Sequence, residues 1–502
     1  MSLKIGWSEV DITPHKRASL IGQFAERISE YVEKPITATA LALDTGNDHA
    51  IIVSVDVNGV SYNLVEAIRE RLKDNTVGID PLKTIFAAVH THTAPTYPRP
   101  AKIAKYIKAA SFSDLLKEQL TDGRKYIPME STVGDDIITP EEYFVLLTDC
   151  LTKVVLEAWN NRVDSSFANA FGRAAVGMCR RAVFANGTAK MWGDTHKNDF
   201  VELEGGSDTG LELLYTFDGE NELTGVVANL ACPAQCVQHR KFISPDFWGE
   251  VKKNLRNHFG KDIFVLGLCS IAGDQCPVDL VRFVEPESDL NDPNIIRNNP
   301  PKRVADPSMF DITGMKKVGR RMANEIIAVY EDGDYITKSD VTLQHCIHIA
   351  DLPIRKVSEE ELKAAKNQIE EYLQNKCGDV DYNDVGNLTG PLGVLRHKKI
   401  QETINALDTE LHIIRLGNIA IATNPFEPFI KYGNKIKAAS NAEQTFLVQL
   451  ANGIDGYIPT ERAEKGGHYS AFVASGVIGP EGGNMMVNKT VEIINKLLGN
   501  DM

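Results

Sequence analysis

The sequence predicts an α/β fold, in which mixed sheets with flanking helices form one large domain over residues 1–502. Residues 49–56 and 84–90 are continuous apolar runs rich in β-branched side chains, as is typical of strands buried on both faces. Residues 62–74, between these runs, repeat apolar side chains at helical spacing. A strand, a helix and a second strand in this order form a βαβ unit, so the two strands should pair in parallel.

The alternation of strands and helices continues along the chain. Residues 211–231 contain two strand-like runs broken by Asp218-Gly219, and residues 262–269 form another buried run. Residues 279–307 are rich in Asp, Asn and Pro, which predicts a long surface loop. Helical spacing predicts further helices over residues 144–159, 314–330, 357–375 and 488–498.

Composition restricts the partners of this protein. Apolar residues make up 43% of the chain and charged residues 24%, as in ordinary globular proteins. The formal charge of -14 argues against nucleic acid and anionic membranes, which both require a dense basic surface. No apolar stretch is long enough to span a membrane. The first residues do not resemble a signal peptide, so we expect a cytoplasmic protein, or a secreted or periplasmic one if a signal peptide has been removed.

The motif His90-Thr91-His92 directly follows the second predicted strand. In an extended segment, residues i and i+2 point the same way, so both imidazoles can face one site. Imidazole is a common metal ligand, and the carboxyl ends of strands in open α/β sheets are where ligands usually bind. Residues 98–145 follow this motif, are rich in Lys and Tyr, and predict an insertion of helices and loops that acts as a lid.

Three further clusters carry groups that suit metal binding or acid–base chemistry. Cys232, Cys236 and His239 lie close together in sequence, although these residues by themselves favour a turn with buried cysteines over a metal site. The eight cysteines are scattered without a CxxC pair, which indicates reduced, mostly buried thiols. Glu427 follows an apolar run, and Tyr457 and Tyr469 lie in a third cluster near the end of the chain.

Taken together and in this order, the motifs resemble those of the neutral ceramidase family. The resemblance extends from residue 5 to about residue 480 and corresponds to the catalytic domain of that family, without its C-terminal β-rich domain. The matching segments are residues 10–14 (VDITP), 90–95 (HTHTAP), 243–246 (ISPD) with Gly249, 273–277 (GDQCP), 424–427 (NPFE), and Gly456-Tyr457 with Tyr469.

The resemblance implies roles for individual residues. His90, Glu427 and Tyr457 would be zinc ligands. His92 and Tyr469 would hold or polarise the substrate carbonyl. Arg180 falls where the family has a substrate-contacting arginine, but Cys179 replaces the preceding asparagine and Arg181 is a rival.

The sequence departs from the family at the second zinc-ligand histidine. That histidine lies fourteen positions before the Asp of the ISxD motif, and a gapless count from Asp246 arrives at Cys232 (246 − 232 = 14). A thiolate is a good zinc ligand, so Cys232 can replace the imidazole chemically. His239 is the alternative ligand to Cys232 if the loop is rearranged. Loss of the metal is a third alternative.

The expected function is zinc-dependent hydrolysis of the amide bond in an N-acyl compound, either a ceramide-like lipid or a smaller and more polar molecule. Two alternatives stay open. One is a non-catalytic binding protein on the same scaffold, because a fold does not fix a function. The other is a zinc hydrolase that acts on esters or carbohydrate-linked amides. No Walker loop, Gly-x-Ser-x-Gly elbow or His-Glu-x-x-His motif occurs, which disfavours a P-loop NTPase, a serine esterase and a zincin.

Overall fold

The computed structural model describes residues 2–23, 25–75, 78–106, 111–128, 131–284, 304–306 and 310–499. Three larger sheets dominate this part of the chain, and each contains one βαβ unit. The N-terminal sheet has five strands, in the order Val163–Asp164, Lys4–Asp11, Thr37–Asp44, His49–Val55 and Thr84–Ala88. The central sheet has four, in the order Ser166–Arg173, Gly210–Phe217, Leu223–Leu230 and Phe264–Cys269. The C-terminal sheet also has four, in the order Leu343–Pro353, Ala406–Leu416, Ile419–Thr423 and Gln444–Val448.

Each βαβ unit pairs its two strands in parallel across a helix. His49–Val55 and Thr84–Ala88 pair in parallel, as the sequence predicts. The same arrangement recurs in the central and C-terminal sheets. The helices are α1 Tyr62–Asn75, α2 Phe112–Gln119, α3 Pro140–Asn160, α4 Phe247–Phe259, α5 Asp311–Asp332, α6 Glu359–Asn375, α7 Tyr382–Asn387, α8 Thr389–Gln401, α9 Ile430–Ala439, α10 Glu461–Gly466 and α11 Pro480–Leu498.

A shared apolar core joins the three sheets. It contains side chains from each of them, including Ile52, Leu266 and Ile421, all at most 2% exposed. The opposite faces of the sheets are covered by helices α1 and α3, α4 and α5, and α9 and α11, respectively. Because the paired strands of the βαβ units are buried on both faces, strands such as His49–Val55, Thr84–Ala88 and Ile419–Thr423 are almost continuously apolar and do not alternate. The predicted fold class, mixed sheets with flanking helices, is confirmed.

Two sequence-based expectations concern the connections. The prediction of a surface loop over residues 279–307 is wrong at both ends. Asp279–Val284 and Val304–Asp306 form an antiparallel pair of strands there. Residues 285–303 lie outside the described residues. The described parts of residues 98–145 contain α2 and the start of α3. Helix α2 packs against α7 and α8.

Short strands complete the architecture. They are Arg17–Leu20, Arg27–Ile28, Tyr31–Val32, Tyr126–Ile127, Ile137–Ile138, Met178–Cys179, Arg181–Phe184, Ala189–Met191, Phe200–Leu203, Phe242–Ile243, Gln275–Cys276, Asp279–Val284, Val304–Asp306, Val380–Asp381, Glu427–Pro428 and Tyr457–Ile458. Within the described residues, no helix combines the length and the apolarity that crossing a bilayer requires.

Candidate active site

Polar side chains from all three βαβ units meet beyond the carboxyl ends of their strands. His90 follows Thr84–Ala88, Gln235 follows Leu223–Leu230, and Glu427 follows Ile419–Thr423. This edge is where open α/β sheets usually bind ligands. Asp56 also ends a strand, but its buried carboxylate lies 3.1 Å from Lys252 Nζ and does not join the cluster.

The two histidines of the His-x-His motif face one another. Their Nε2 atoms are 3.2 Å apart and their ring planes are inclined by 77°. The sequence predicts that both imidazoles face one site because the backbone is extended. The imidazoles do converge, but the prediction of an extended backbone is wrong. The strand ends at Ala88, and His90 has a left-handed φ of 66°. Non-glycine residues with positive φ are uncommon, so the surrounding structure must hold this strained turn in place.

Hydrogen bonds fix the protonation of both imidazoles. His90 Nδ1 lies 2.6 Å from the carbonyl oxygen of Asn58, so it carries the proton and leaves Nε2 with a lone pair. Arg180 donates to Gln235 Oε1, which turns the amide nitrogen of Gln235 toward His92 Nε2 at 2.8 Å. His92 Nε2 therefore also carries a lone pair and no proton. Burial lowers the pKa of both histidines, which keeps the rings neutral.

Glu427 adds a third electron-pair donor to the cluster. Its Oε2 lies 3.4 Å from His90 Nε2, and its side chain is almost completely buried. Glu427 pairs in parallel with Tyr457, which brings carboxylate and phenol to neighbouring strand positions. A Cβ on Gly273 would lie 2.2 Å from the Glu427 carbonyl oxygen, so only glycine allows this loop to approach so closely.

Arg180 is the cation that lines the pocket of the site. Its Nη2 donates to Tyr457 Oη at 3.3 Å and to the carbonyl oxygen of Gly273 at 2.9 Å. Burial, the largest influence, lowers the pKa of Arg180, but Tyr457 and other nearby acidic groups more than compensate, so its pKa lies above the ordinary value. The pKa of Tyr457 is raised well above its usual range by burial and by Glu427, so its phenolate form requires a cation close by.

The rival Arg181 points elsewhere and is structural. Its Nε forms a fully buried ion pair with Glu204 at 2.6 Å. Its guanidinium also donates to the carbonyl oxygens of Tyr469 and Gly467. Arg181 thereby fixes the segment on which Tyr469 lies. The ring of Tyr469 packs edge-on against that of Tyr457, with the ring centres 5.6 Å apart.

A pocket of about 740 Å³ opens over the cluster. The predicted residues His92, Arg180, Tyr457 and Tyr469 all line it. The described residues of 98–145 do not line it; the wall on that side comes from α7 and α8, against which α2 packs. The rest of the wall consists of Gly22, Gln23, Met191, Trp192, Gln235, Gln238, Gly386, Asn387, Thr389, Gly390, His468 and Phe472.

Cys232 and His239 contact other parts of the protein, and in the described part of the chain they form no metal-binding group of three with other His, Cys, Asp or Glu side chains. Cys232 is fully buried in the apolar core beside α4, and its Sγ is 3.5 Å from the carbonyl oxygens of Val176 and Pro233. Burial raises the pKa of its thiol well above the usual range. His239 stacks on Phe310 and lies 3.4 Å from Asp311.

The distance between the donor atoms of His90 and Glu427 can be compared with the spacing of ligands around a zinc ion. Ligands bonded to tetrahedral zinc at 2.0–2.1 Å lie about 3.3 Å from one another. The 3.4 Å between His90 Nε2 and Glu427 Oε2 fits this spacing, and the hydrogen bond from Nδ1 to Asn58 leaves His90 Nε2 with its lone pair. Within the described residues, no three His, Cys, Asp or Glu side chains are placed to hold a metal ion. A third protein ligand would therefore be the adjacent phenol of Tyr457.

Sequence reasoning missed several residues of the site. Gln235 links His92 to Arg180, and Asn58 orients His90. Trp192 and Gln238 line the pocket. Gln235 and Gln238 belong to the segment that contains Cys232, but glutamine has no spacing pattern that distinguishes a site residue from a surface residue. Only their position after a buried strand was a usable signal.

Fold and site together define the class: an α/β protein with a buried histidine–carboxylate–tyrosine cluster beneath a pocket at the carboxyl ends of its βαβ units. Two solved structures share this fold. A neutral ceramidase from Pseudomonas aeruginosa aligns with a TM-score of 0.64 at 15% sequence identity, over 99% of this chain and 75% of its own. A ceramidase complexed with C2 aligns with the same TM-score and coverage at 14% identity. The predicted resemblance is thus confirmed as a likeness of fold.

No protein-family model matches the sequence, and no curated protein does.

Proposed function

We propose that this protein is a hydrolase that cleaves the amide bond of an N-acyl compound, as a ceramidase does, with the help of zinc. In the reaction, water adds across the C–N bond, and the products are a carboxylate and an amine. The observation that carries the proposal is the convergence of His90 Nε2 and Glu427 Oε2, 3.4 Å apart, beside a pocket large enough for a substrate.

The zinc ion would be held by His90, Glu427 and Tyr457. Bound there, zinc supplies a Lewis acid that makes water acidic near neutral pH. Asn58 keeps the donor atom of His90 unprotonated by accepting from Nδ1. Arg180 donates to Tyr457 and stabilises its phenolate form. Cys232 as a further ligand stays a prediction, which its location in the apolar core makes less favourable.

The pocket residues would position the substrate and stabilise developing charge. With Nε2 accepting from Gln235, His92 carries its proton on Nδ1 and can donate it to a carbonyl oxygen. Tyr469 supplies a second hydroxyl beside Tyr457. Donors placed around a reacting carbonyl in a buried site stabilise the oxyanion that forms there. His468 and Ser470, on either side of Tyr469, have φ values of 72° and 70°, so the backbone holds this ring in a strained turn.

The test combines metal analysis with a substrate panel. Purified protein should contain about one zinc per chain, and it should release amine from an N-acyl substrate in a reaction that chelation stops and zinc restores. Protein with full zinc that hydrolyses esters but no amide would support the ester alternative. Folded protein that binds no zinc and hydrolyses none of the panel would support a non-catalytic binding role and contradict the proposal.

A further inference from the structure

Three buried hydrogen-bond donors of the pocket wall have no partner in the protein. They are Arg180 Nε, Gln238 Nε2 and His92 Nδ1. Their residues are only 3%, 3% and 8% exposed, respectively. Buried polar atoms are nearly always hydrogen-bonded in native proteins, so three such atoms on residues that line one pocket favour a ligand that supplies the missing acceptors.

All three atoms are donors. A guanidinium has no acceptor, an amide nitrogen only donates, and the hydrogen bond from Gln235 to His92 Nε2 places the ring proton of His92 on Nδ1. The substrate carbonyl of the proposed reaction satisfies one of them. The other two can both be satisfied by the two oxygens of one carboxylate, whereas an alkyl chain offers no acceptor.

The charge of the wall favours an anion. Among the described residues that line the pocket, none is an Asp, a Glu or a Lys, and Arg180 carries the one permanent charge. An ammonium group of a substrate would meet no carboxylate on this wall. A carboxylate would meet a guanidinium and an amide, which donate charge-assisted hydrogen bonds to both of its oxygens.

We infer that the pocket recognises a carboxylate on its substrate, so that the preferred substrates are N-acyl amino acids. This inference rests on the proposed amidase function and specifies its substrate class. Arg180 Nε and Gln238 Nε2 would donate to the carboxylate, while His92 would donate to the acyl carbonyl. Trp192 and Phe472 form an apolar part of the wall, against which the amino-acid side chain or the acyl group would pack.

The decisive experiment compares N-acetyl-leucine with N-acetyl-leucinamide, which differ only in the carboxylate. We expect kcat/KM for cleavage of the acetyl amide to be at least about tenfold higher for the acid, since a tenfold ratio corresponds to a single well-formed interaction. Gln238→Glu should reduce that ratio at least tenfold by electrostatic repulsion, and Gln238→Leu should reduce it by removing the donor. Gln374→Glu, the same charge change on an exposed position of α6, should leave the ratio unchanged.

Binding separates this inference from the proposed function. In chelated protein, where a carboxylate cannot bind to metal, isothermal titration calorimetry should show tighter binding of the acid than of the amide, and Gln238→Glu should abolish the difference. Equal binding and equal kcat/KM for the two compounds would overturn the inference and leave the amidase function standing. Preferential binding of the acid without any hydrolysis would support the recognition site and contradict the proposed reaction. Gln238 variants that retain the wild-type preference would also overturn the inference.

Discussion

Two clusters among the described residues each contain two histidines and a glutamate, and they differ in how their polar atoms are satisfied. In the second cluster, His345 Nε2 lies 2.8 Å from His412 Nδ1, and His412 Nε2 lies 2.7 Å from Glu410. Two neutral imidazoles carry the two protons that these bonds need. Glu410 also pairs bidentately with Arg69, at 2.8 and 3.0 Å.

The site cluster differs in how its polar atoms are satisfied. His90 Nε2 faces two other lone pairs at 3.2 and 3.4 Å, and the adjacent pocket wall contains unpartnered donors. In the second cluster, Glu410 bonds to both His412 and Arg69, which joins helix α1 to the C-terminal sheet, and His345 Nδ1 lies 3.3 Å from the carbonyl oxygen of His49. Residue types alone therefore do not distinguish a structural network from a candidate ligand site, whereas the unpartnered donors beside the site cluster do.

The largest expected effect comes from Glu427→Gln. A neutral amide is a poor replacement for a carboxylate ligand, so zinc content should fall well below one per chain. Activity should decrease more than about 100-fold, beyond the usual cost of losing only a hydrogen-bond partner of a ligand. Metal analysis and kcat/KM measure this. Wild-type zinc content in Glu427→Gln would remove Glu427 from the ligand set.

The same substitution in the second cluster should have the opposite signature. Glu410→Gln breaks a partly buried ion pair and the bond to His412, which should lower the free energy of unfolding by about 2–4 kcal/mol. Zinc content per folded chain should not change. Urea denaturation with a zinc assay checks both quantities. A stable Glu410→Gln variant that lost zinc would show that the two clusters are coupled. This result would contradict a purely structural role for the second cluster.

Substitutions of Cys232 test whether its thiol is a zinc ligand. Because Cys232 lies in the apolar core, Cys232→Ser should cost about 2 kcal/mol through the buried hydroxyl and leave zinc content unchanged. Cys232→Ala is the matched control, since it removes the thiol without introducing a polar group. Zinc loss in both variants, at wild-type stability, would instead establish the thiolate as a ligand.

The smallest effect is the pH dependence of stability. Burial lowers the pKa of His345 to about 3 and that of His397 to about 4. Below the ordinary value of about 6.5, the unfolded chain therefore binds protons that the folded protein does not. Stability should be full above that pH and decline on acidification toward these values, by about 1 kcal/mol per histidine between pH 7 and 5.5.

His345→Gln should remove its share of this slope, which urea midpoints at several pH values would reveal. An unchanged slope in that variant would mean that His345 titrates normally in the folded protein. The site histidines should contribute differently under the proposed function, since zinc bound at His90 would also keep that ring unprotonated.

The sequence alone determined the architecture and named several of the residues that meet at the candidate site. Continuous apolar runs identified buried strands such as His49–Val55, because a strand covered on both faces has no polar side to reveal. The order of short motifs identified His92, Arg180, Tyr457 and Tyr469, all of which line one pocket. These features are local, or they depend on order along the chain, so they can be read without coordinates.

Tertiary structure decided which polar residues meet. The loop containing Cys232 turns its thiol into the core and presents Gln235 to the site, which no count along the sequence reveals. The convergence of His90 with His92 arises from a left-handed turn and not from strand alternation. Whether a buried donor finds a partner depends on residues far away in sequence, such as Arg180 and Gln235. The sequence supplies the chemical groups, and packing decides which of them remain available to a ligand.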